Sequence, residues 1–116
     1  MAEYDAESLL ILVVDDNPDD LYLIRRDLMA LGHRVAGVST AAEALDHIAQ
    51  AYPDVLMTDV GLPGMDGIEL LKTVRARTGG SWIPSLVFTG SLDEATQMRA
   101  LEAGADAYLC KPASRQ

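Results

Sequence analysis

The chain has 116 residues, 49% of them apolar, with a formal net charge of −9 and a sequence pI near 4.4. That length holds one domain with a single core, and the apolar fraction is too high for a disordered segment. The acidic balance excludes a nucleic-acid surface, which needs clustered Lys and Arg, and the longest aliphatic run, Leu9 to Val14, is far too short to span a bilayer.

Residues 1–8 form a polar, acidic tail with no signal-peptide or transit-peptide pattern; residues 9–116 read as the folded domain. Leu9-Leu10-Ile11-Leu12-Val13-Val14 has the pattern of a strand buried on both faces. It ends in Asp15-Asp16. Asn17 is placed as an N-cap and Pro18 as the first residue of a helix. Leu21, Ile24, Leu28 and Leu31 line one face of that helix and Gly32 stops it. Arg34 to Ser39 is a shorter, more polar strand, expected near an edge. Thr40-Ala41-Ala42-Glu43 is a capping box for a second helix with Ala44, Leu45 and Ile48 inward.

After Tyr52-Pro53, Asp54 to Val60 is an apolar run between breakers, with Asp59 where the strand runs out. The Pro63-Gly64 turn leads to a third helix carrying Ile68, Leu71 and Val74, stopped at Gly79-Gly80. Trp82 is expected to cap the rim of the core. Ser85 to Thr89 is the fourth strand. Ser91-Leu92-Asp93-Glu94 reads as a capping box, Ala95, Met98 and Leu101 as the inner stripe of the fourth helix, and Gly104 as its stop. Ala107 to Lys111 is the fifth strand. The one cysteine, Cys110, fits a small core position and a reducing, cytoplasmic setting. His33 and His47 read as solvated.

Alternating strands and helices imply a doubly wound α/β fold, a parallel sheet with right-handed crossovers. The strand carboxyl ends then gather, and ligands in such sheets bind there. Those ends carry Asp15, Asp16, Asp59, Thr89 and Lys111. Two carboxylates about 4 Å apart repel by roughly 4 kcal/mol at an effective dielectric near 20, so gathering three requires cations. An oxygen-only donor set suits a hard ion, Mg²⁺ above all. One divalent ion and Lys111 neutralise three acids. Such a crevice suits phosphoryl transfer to a carboxylate, with Lys111 balancing charge and Thr89 donating a hydrogen bond.

Val13-Val14-Asp15-Asp16, Met57-Thr58-Asp59, Leu62-Pro63-Gly64-Met65-Asp66-Gly67, Phe88-Thr89-Gly90 and Tyr108-Leu109-Cys110-Lys111-Pro112 resemble the receiver domains of two-component response regulators. The five blocks stand in that family's order and spacing over nearly the whole chain. The resemblance implies a flavodoxin-like five-stranded sheet of order 2-1-3-4-5. It implies that Asp59 is the phosphoacceptor, charged by a histidine kinase or a histidine phosphotransfer protein. It implies a Mg²⁺ site of Asp16 as direct ligand, Asp15 acting largely through water, Asp59, and the Gly61 backbone carbonyl. Lys111 matches the phosphate-binding lysine, with the Lys111–Pro112 bond a candidate cis peptide. Thr89 and Tyr108 match a switch pair that alters the surface of the fourth helix and fifth strand. Gly90 leaves the pocket open to partners and water.

The sequence departs from that family after Lys111-Pro112, where Ala113-Ser114-Arg115-Gln116 is too short for a fifth helix. The expectation is a missing or truncated last helix and a sheet face covered only by the first. A cut from a longer chain explains this best; a partner over the open face, such as a second copy, is the other explanation. Three rival functions stand beside this reading. A Mg²⁺-dependent phosphohydrolase resembling the haloacid dehalogenases also forms an aspartyl phosphate, but it uses an Asp-x-Asp motif after its first strand, and adjacent Asp15-Asp16 does not fit. A receiver-like binding module without phosphoryl transfer is disfavoured by the intact set of acids, Thr89 and Lys111. Flavin binding lacks a phosphate-cradling loop after the first strand.

Overall fold

The computed structural model describes residues 8–77, 82–90 and 93–111. Nine elements alternate along these residues: β1 (Leu10–Val14), α1 (Pro18–Ala30), β2 (Arg34–Val38), α2 (Ala41–Gln50), β3 (Val55–Asp59), α3 (Gly67–Arg77), β4 (Ser85–Thr89), α4 (Glu94–Glu102) and β5 (Ala107–Cys110). All strand pairs are parallel, in the order β2-β1-β3-β4-β5. This is the expected order, with β2 on one edge and β1, β3 and β4 central.

The aliphatic runs form central strands because both faces of the sheet are covered. Ile11, Val13 and Phe88 pack against Leu21, Ile24 and Leu28 of α1. On the other face Leu12, Val14 and Leu56 meet Ala44 of α2 and Leu70 and Val74 of α3. Val87 meets Ile68 and Leu71 of α3 with Ala100 of α4 and Ala103 at its C-cap. Leu109, in register with Phe88 and hence on the α1 face, is 44% exposed.

Helix termini follow local chemistry. Asn17 Oδ1 accepts the Asp19 and Asp20 N–H groups at 2.9 and 3.1 Å, and Pro18 begins α1. Gly32, at φ 95°, lets its own amide and that of His33 turn back onto the Met29 and Leu28 carbonyls. Leu31 lies past the end of α1 and is 72% exposed, not on its inner face. Thr40 caps α2 by accepting the Glu43 N–H, and Glu43 accepts the Ser39 N–H at 2.9 Å. The expected stop at Gly79-Gly80 and residue Ser91 lie outside the described residues.

The fourth helix differs from its sequence reading. Its cap is Asp93, which accepts both the N–H and the hydroxyl of Thr96 at 2.8 Å. Its buried side is made by small residues, Ala100 and Ala103, while Met98 and Leu101 are 54% and 46% exposed and Ala95 is exposed too. Cys110 is likewise exposed, so it is not a core residue. The hydrogen bonds from Thr96 hold the Asp93 carboxyl below the usual carboxylate range. A depressed acid stabilises the fold above its unfolded pKa, and that contribution is lost as the pH falls through the folded value. Asp93→Ala is therefore expected to lower the denaturation midpoint at neutral pH, by a difference that shrinks below pH about 4; a urea series across pH measures it.

At the amino end of the sheet Trp82 stacks on Arg75, 3.4 Å from guanidinium carbon to ring centre. Arg75 donates to the Ile83 and Gly104 carbonyls at 2.7 Å each, and Asp106 accepts the Ser85 N–H at 2.8 Å. This network fixes the starts of β4 and β5, and hence how far their other ends reach. Both histidines are half-buried rather than fully exposed. His33 Nδ1 accepts the Leu9 N–H at 3.1 Å.

Candidate functional site

The strand ends converge on one crevice. Asp15 follows β1 directly, Asp59 closes β3, Thr89 closes β4 and Lys111 follows β5. β1 and β3 are neighbours, with Val14 opposite Thr58, so their terminal acids lie side by side. Lys111 starts a strand further away, since β4 separates β3 from β5. Its N–H donates to the Thr89 carbonyl at 2.7 Å, and its side chain crosses Phe88, with Nζ 5.4 Å from the ring centre. The ammonium ends 3.1 Å from Asp59 Oδ2.

Asp59 is 8% exposed, and its other oxygen, Oδ1, accepts the Val60 N–H at 2.7 Å. Asp15 is fully buried. Its Oδ1 accepts the Asn17 N–H at 3.0 Å, while Oδ2 lies 3.0 Å from Lys111 Nζ, in ion-pair range but with no directed hydrogen bond. Burial pushes the Asp15 carboxyl upward, against the downward pull of the Asn17 amide and Lys111. Burial also acts downward on Lys111, but hydrogen bonds to Asp20 and Asp59 and the adjacent Asp15 carboxylate outweigh it and raise its pKa above the ordinary lysine value. The ammonium is thus firmly charged.

Asp15, Asp16 and Asp59 each offer a carboxylate oxygen within 4.8 Å of the others. Asp16 is exposed, facing the mouth of the crevice that the two buried acids floor. A buried Asp15 oxygen without a hydrogen bond and an all-oxygen donor set fit a hard divalent cation such as Mg²⁺. Gly61 lies in the exposed loop two residues beyond Asp59. Thr89 and Tyr108 are half-buried on the same face of adjacent strands, Tyr108 against the cluster of Ile68, Leu71 and Val87. Gly90 is exposed, with no atom within 4 Å of where a Cβ would stand. Pro112, and with it the candidate cis bond, lies outside the described residues.

Four residues around the site were given no part in it from sequence. Asp20, in the first turn of α1, has its Oδ2 3.0 Å from Lys111 Nζ. Gly67 opens α3 against the backbone of Asp59. Asp66 and Glu69 exchange hydrogen bonds, each side chain accepting the other's N–H at 2.8 and 3.2 Å, and so cap α3 directly after the site loop. The Asp-x-x-Glu spacing of a capping box was the available signal.

The sequence model for the response regulator receiver domain matches residues 11–116. The chain belongs to that family. Its receiver sequence is similar to the transcriptional regulatory protein KdpE of Mycobacterium tuberculosis, 41% identical over 103 residues that cover 89% of this chain and 44% of KdpE. The response regulator MprA of Mycobacterium bovis is 40% identical over 105 residues, 90% of this chain and 45% of MprA. The chain thus spans less than half the length of these relatives. A putative response regulator from Chloroflexus aurantiacus superposes with a TM-score of 0.86 at 35% identity, covering 91% of this receiver and 87% of that chain. The Vibrio cholerae chemotaxis protein CheY4 superposes with a TM-score of 0.85 at 28% identity, covering 90% and 88%. The receiver is a signalling fold and not a classical enzyme family. Among the described residues no helix is long and apolar enough to cross a membrane.

Proposed function

We propose that Asp59 accepts a phosphoryl group from a phosphohistidine on a histidine kinase or phosphotransfer protein, with Mg²⁺ in the crevice. The observation that carries this reading is the Lys111 ammonium, brought across an intervening strand to 3.1 Å from the Asp59 carboxylate beside two further acids. In the transfer an Asp59 oxygen attacks phosphorus as the P–N bond breaks, and the imidazole nitrogen leaves with the electron pair. The Val60 N–H orients the carboxylate through Oδ1, and Lys111 balances charge on the transferring oxygens. Asp16, Asp59 and the Gly61 carbonyl, with Asp15 acting through water, would hold Mg²⁺, which when bound would supply charge neutralisation on those same oxygens. The Thr89 hydroxyl binds the arriving group, Tyr108 follows, and the surface of α4 and β5 changes.

Incubation with acetyl phosphate and Mg²⁺, followed by intact mass measurement, tests this. The native chain is expected to gain one phosphoryl group and Asp59→Asn none. Equal labelling of both would overturn the assignment, and labelling of neither would favour a binding module without transfer.

A further inference from the structure

We propose that Asp20 is a positioning residue that holds the Lys111 ammonium aside, so that Lys111 and a divalent cation can occupy the crevice together. The inference rests on the Mg²⁺ site proposed above. An ammonium has three N–H bonds, and Lys111 Nζ has three acidic neighbours, Asp15 and Asp20 at 3.0 Å and Asp59 at 3.1 Å. Two of the three, Asp15 and Asp59, also belong to the trio whose oxygens suit a metal. Ammonium and cation therefore compete for the same carboxylates and repel each other. Asp20 is the remaining partner and stands outside the trio. It alone can stay on the ammonium when a cation draws the other two away.

The location of Asp20 suits that task. Its backbone N–H is bonded to the Asn17 side chain at 3.1 Å, so the first turn of α1 fixes where its carboxylate starts. Asn17 in turn donates its own N–H to Asp15 Oδ1 at 3.0 Å, which ties this turn to the floor of the crevice. Asp20 also changes the charge balance. With four carboxylates, a divalent ion and the ammonium leave one negative charge over, and that surplus favours keeping both cations. The plain alternative is an acid that merely favours the N-terminal end of a helix. That role predicts no dependence on Lys111.

The discriminating experiment is Mg²⁺ titration by calorimetry on the native chain, Asp20→Asn, Lys111→Met and the double variant, with circular dichroism confirming the fold of each. Asp20→Asn is expected to weaken Mg²⁺ binding about tenfold, as loss of a residue that orients a metal site does. In the Lys111→Met background the same change is expected to cost less than about twofold, since the competitor is gone. Asp20→Glu, which keeps the charge, is expected to restore most of the affinity. Equal weakening in both backgrounds would reduce Asp20 to a charge acting through space, and no weakening in either would remove it from the site; both overturn the proposal. Failure of the native chain to bind Mg²⁺ would overturn the metal site itself, and the positioning role with it.

Discussion

Gly67→Ala is expected to destabilise the domain by about 3 kcal/mol or more, at or beyond the upper end of ordinary overpacking, and to abolish phosphoryl acceptance at Asp59. Gly67 is the first residue of α3, and its N–H donates to the Val60 carbonyl at 2.8 Å. A Cβ at this position would overlap the Asp59 carbonyl oxygen, 2.8 Å from the carbonyl carbon and 3.0 Å from Thr58 Oγ1. A flexible side chain could yield, but these atoms belong to a strand paired on both sides, with β1 and β4. Either α3 withdraws from the sheet, exposing Ile68, Leu70 and Leu71, or the end of β3 shifts. In both cases the Asp59 carboxylate leaves its position 3.1 Å from Lys111. Urea unfolding and acetyl phosphate labelling read the two effects separately. Gly90→Ala is the control, since its Cβ would meet no atom within 4 Å; its stability is expected to stay within about 0.5 kcal/mol.

Gly67 also shows where sequence reading runs out. As the last residue of Leu62-Pro63-Gly64-Met65-Asp66-Gly67 it reads as turn punctuation, and Gly64, at φ 76°, is indeed that. Gly67 is needed for a different reason, a close approach between a helix and a strand end, which exists only once the chain has folded. The central strands were legible because strands buried on both faces are written as unbroken aliphatic runs. The strand-end rule then sufficed to collect Asp15, Asp59, Thr89 and Lys111. The strand order itself came from the family resemblance and not from periodicity.

The misread residues have separate causes. Periodicity weights large apolar side chains, so Met98 and Leu101 attracted the inner face of α4, yet this helix packs on the sheet through Ala100 and Ala103. Asp20 was hidden by sufficiency. An acid in the first turn of a helix already has a local reason to be there, and nothing in the order of residues says that a lysine 91 positions later will reach it. Long-range charge pairing of that kind appears only when β5 is set two strands from β3.

Saturating Mg²⁺ is expected to raise the thermal midpoint by roughly 10 °C. A ligand that binds only the native state at 100 times its dissociation constant contributes about 2.7 kcal/mol, and a domain of this size gains several degrees per kcal/mol. The reason lies in the acids. Asp15 is fully buried, and both burial and the neighbouring Asp59 charge act against its ionisation, so the folded crevice holds negative charge under repulsion. Asp59→Asn tests whether that crevice is where the ion acts. Without Mg²⁺ the variant is expected to be more stable than the native chain, by about 1 kcal/mol. The amide oxygen can still accept the Val60 N–H, and Lys111 keeps Asp15 and Asp20 as partners. With Mg²⁺ its midpoint is expected to rise by less than half as much, because one of the two directly ligating carboxylates is gone. Differential scanning calorimetry across a Mg²⁺ series gives both numbers. A full Mg²⁺ shift in Asp59→Asn would place the stabilising ion away from this crevice, whereas a raised apo midpoint with a diminished shift is the result that three crowded acids require.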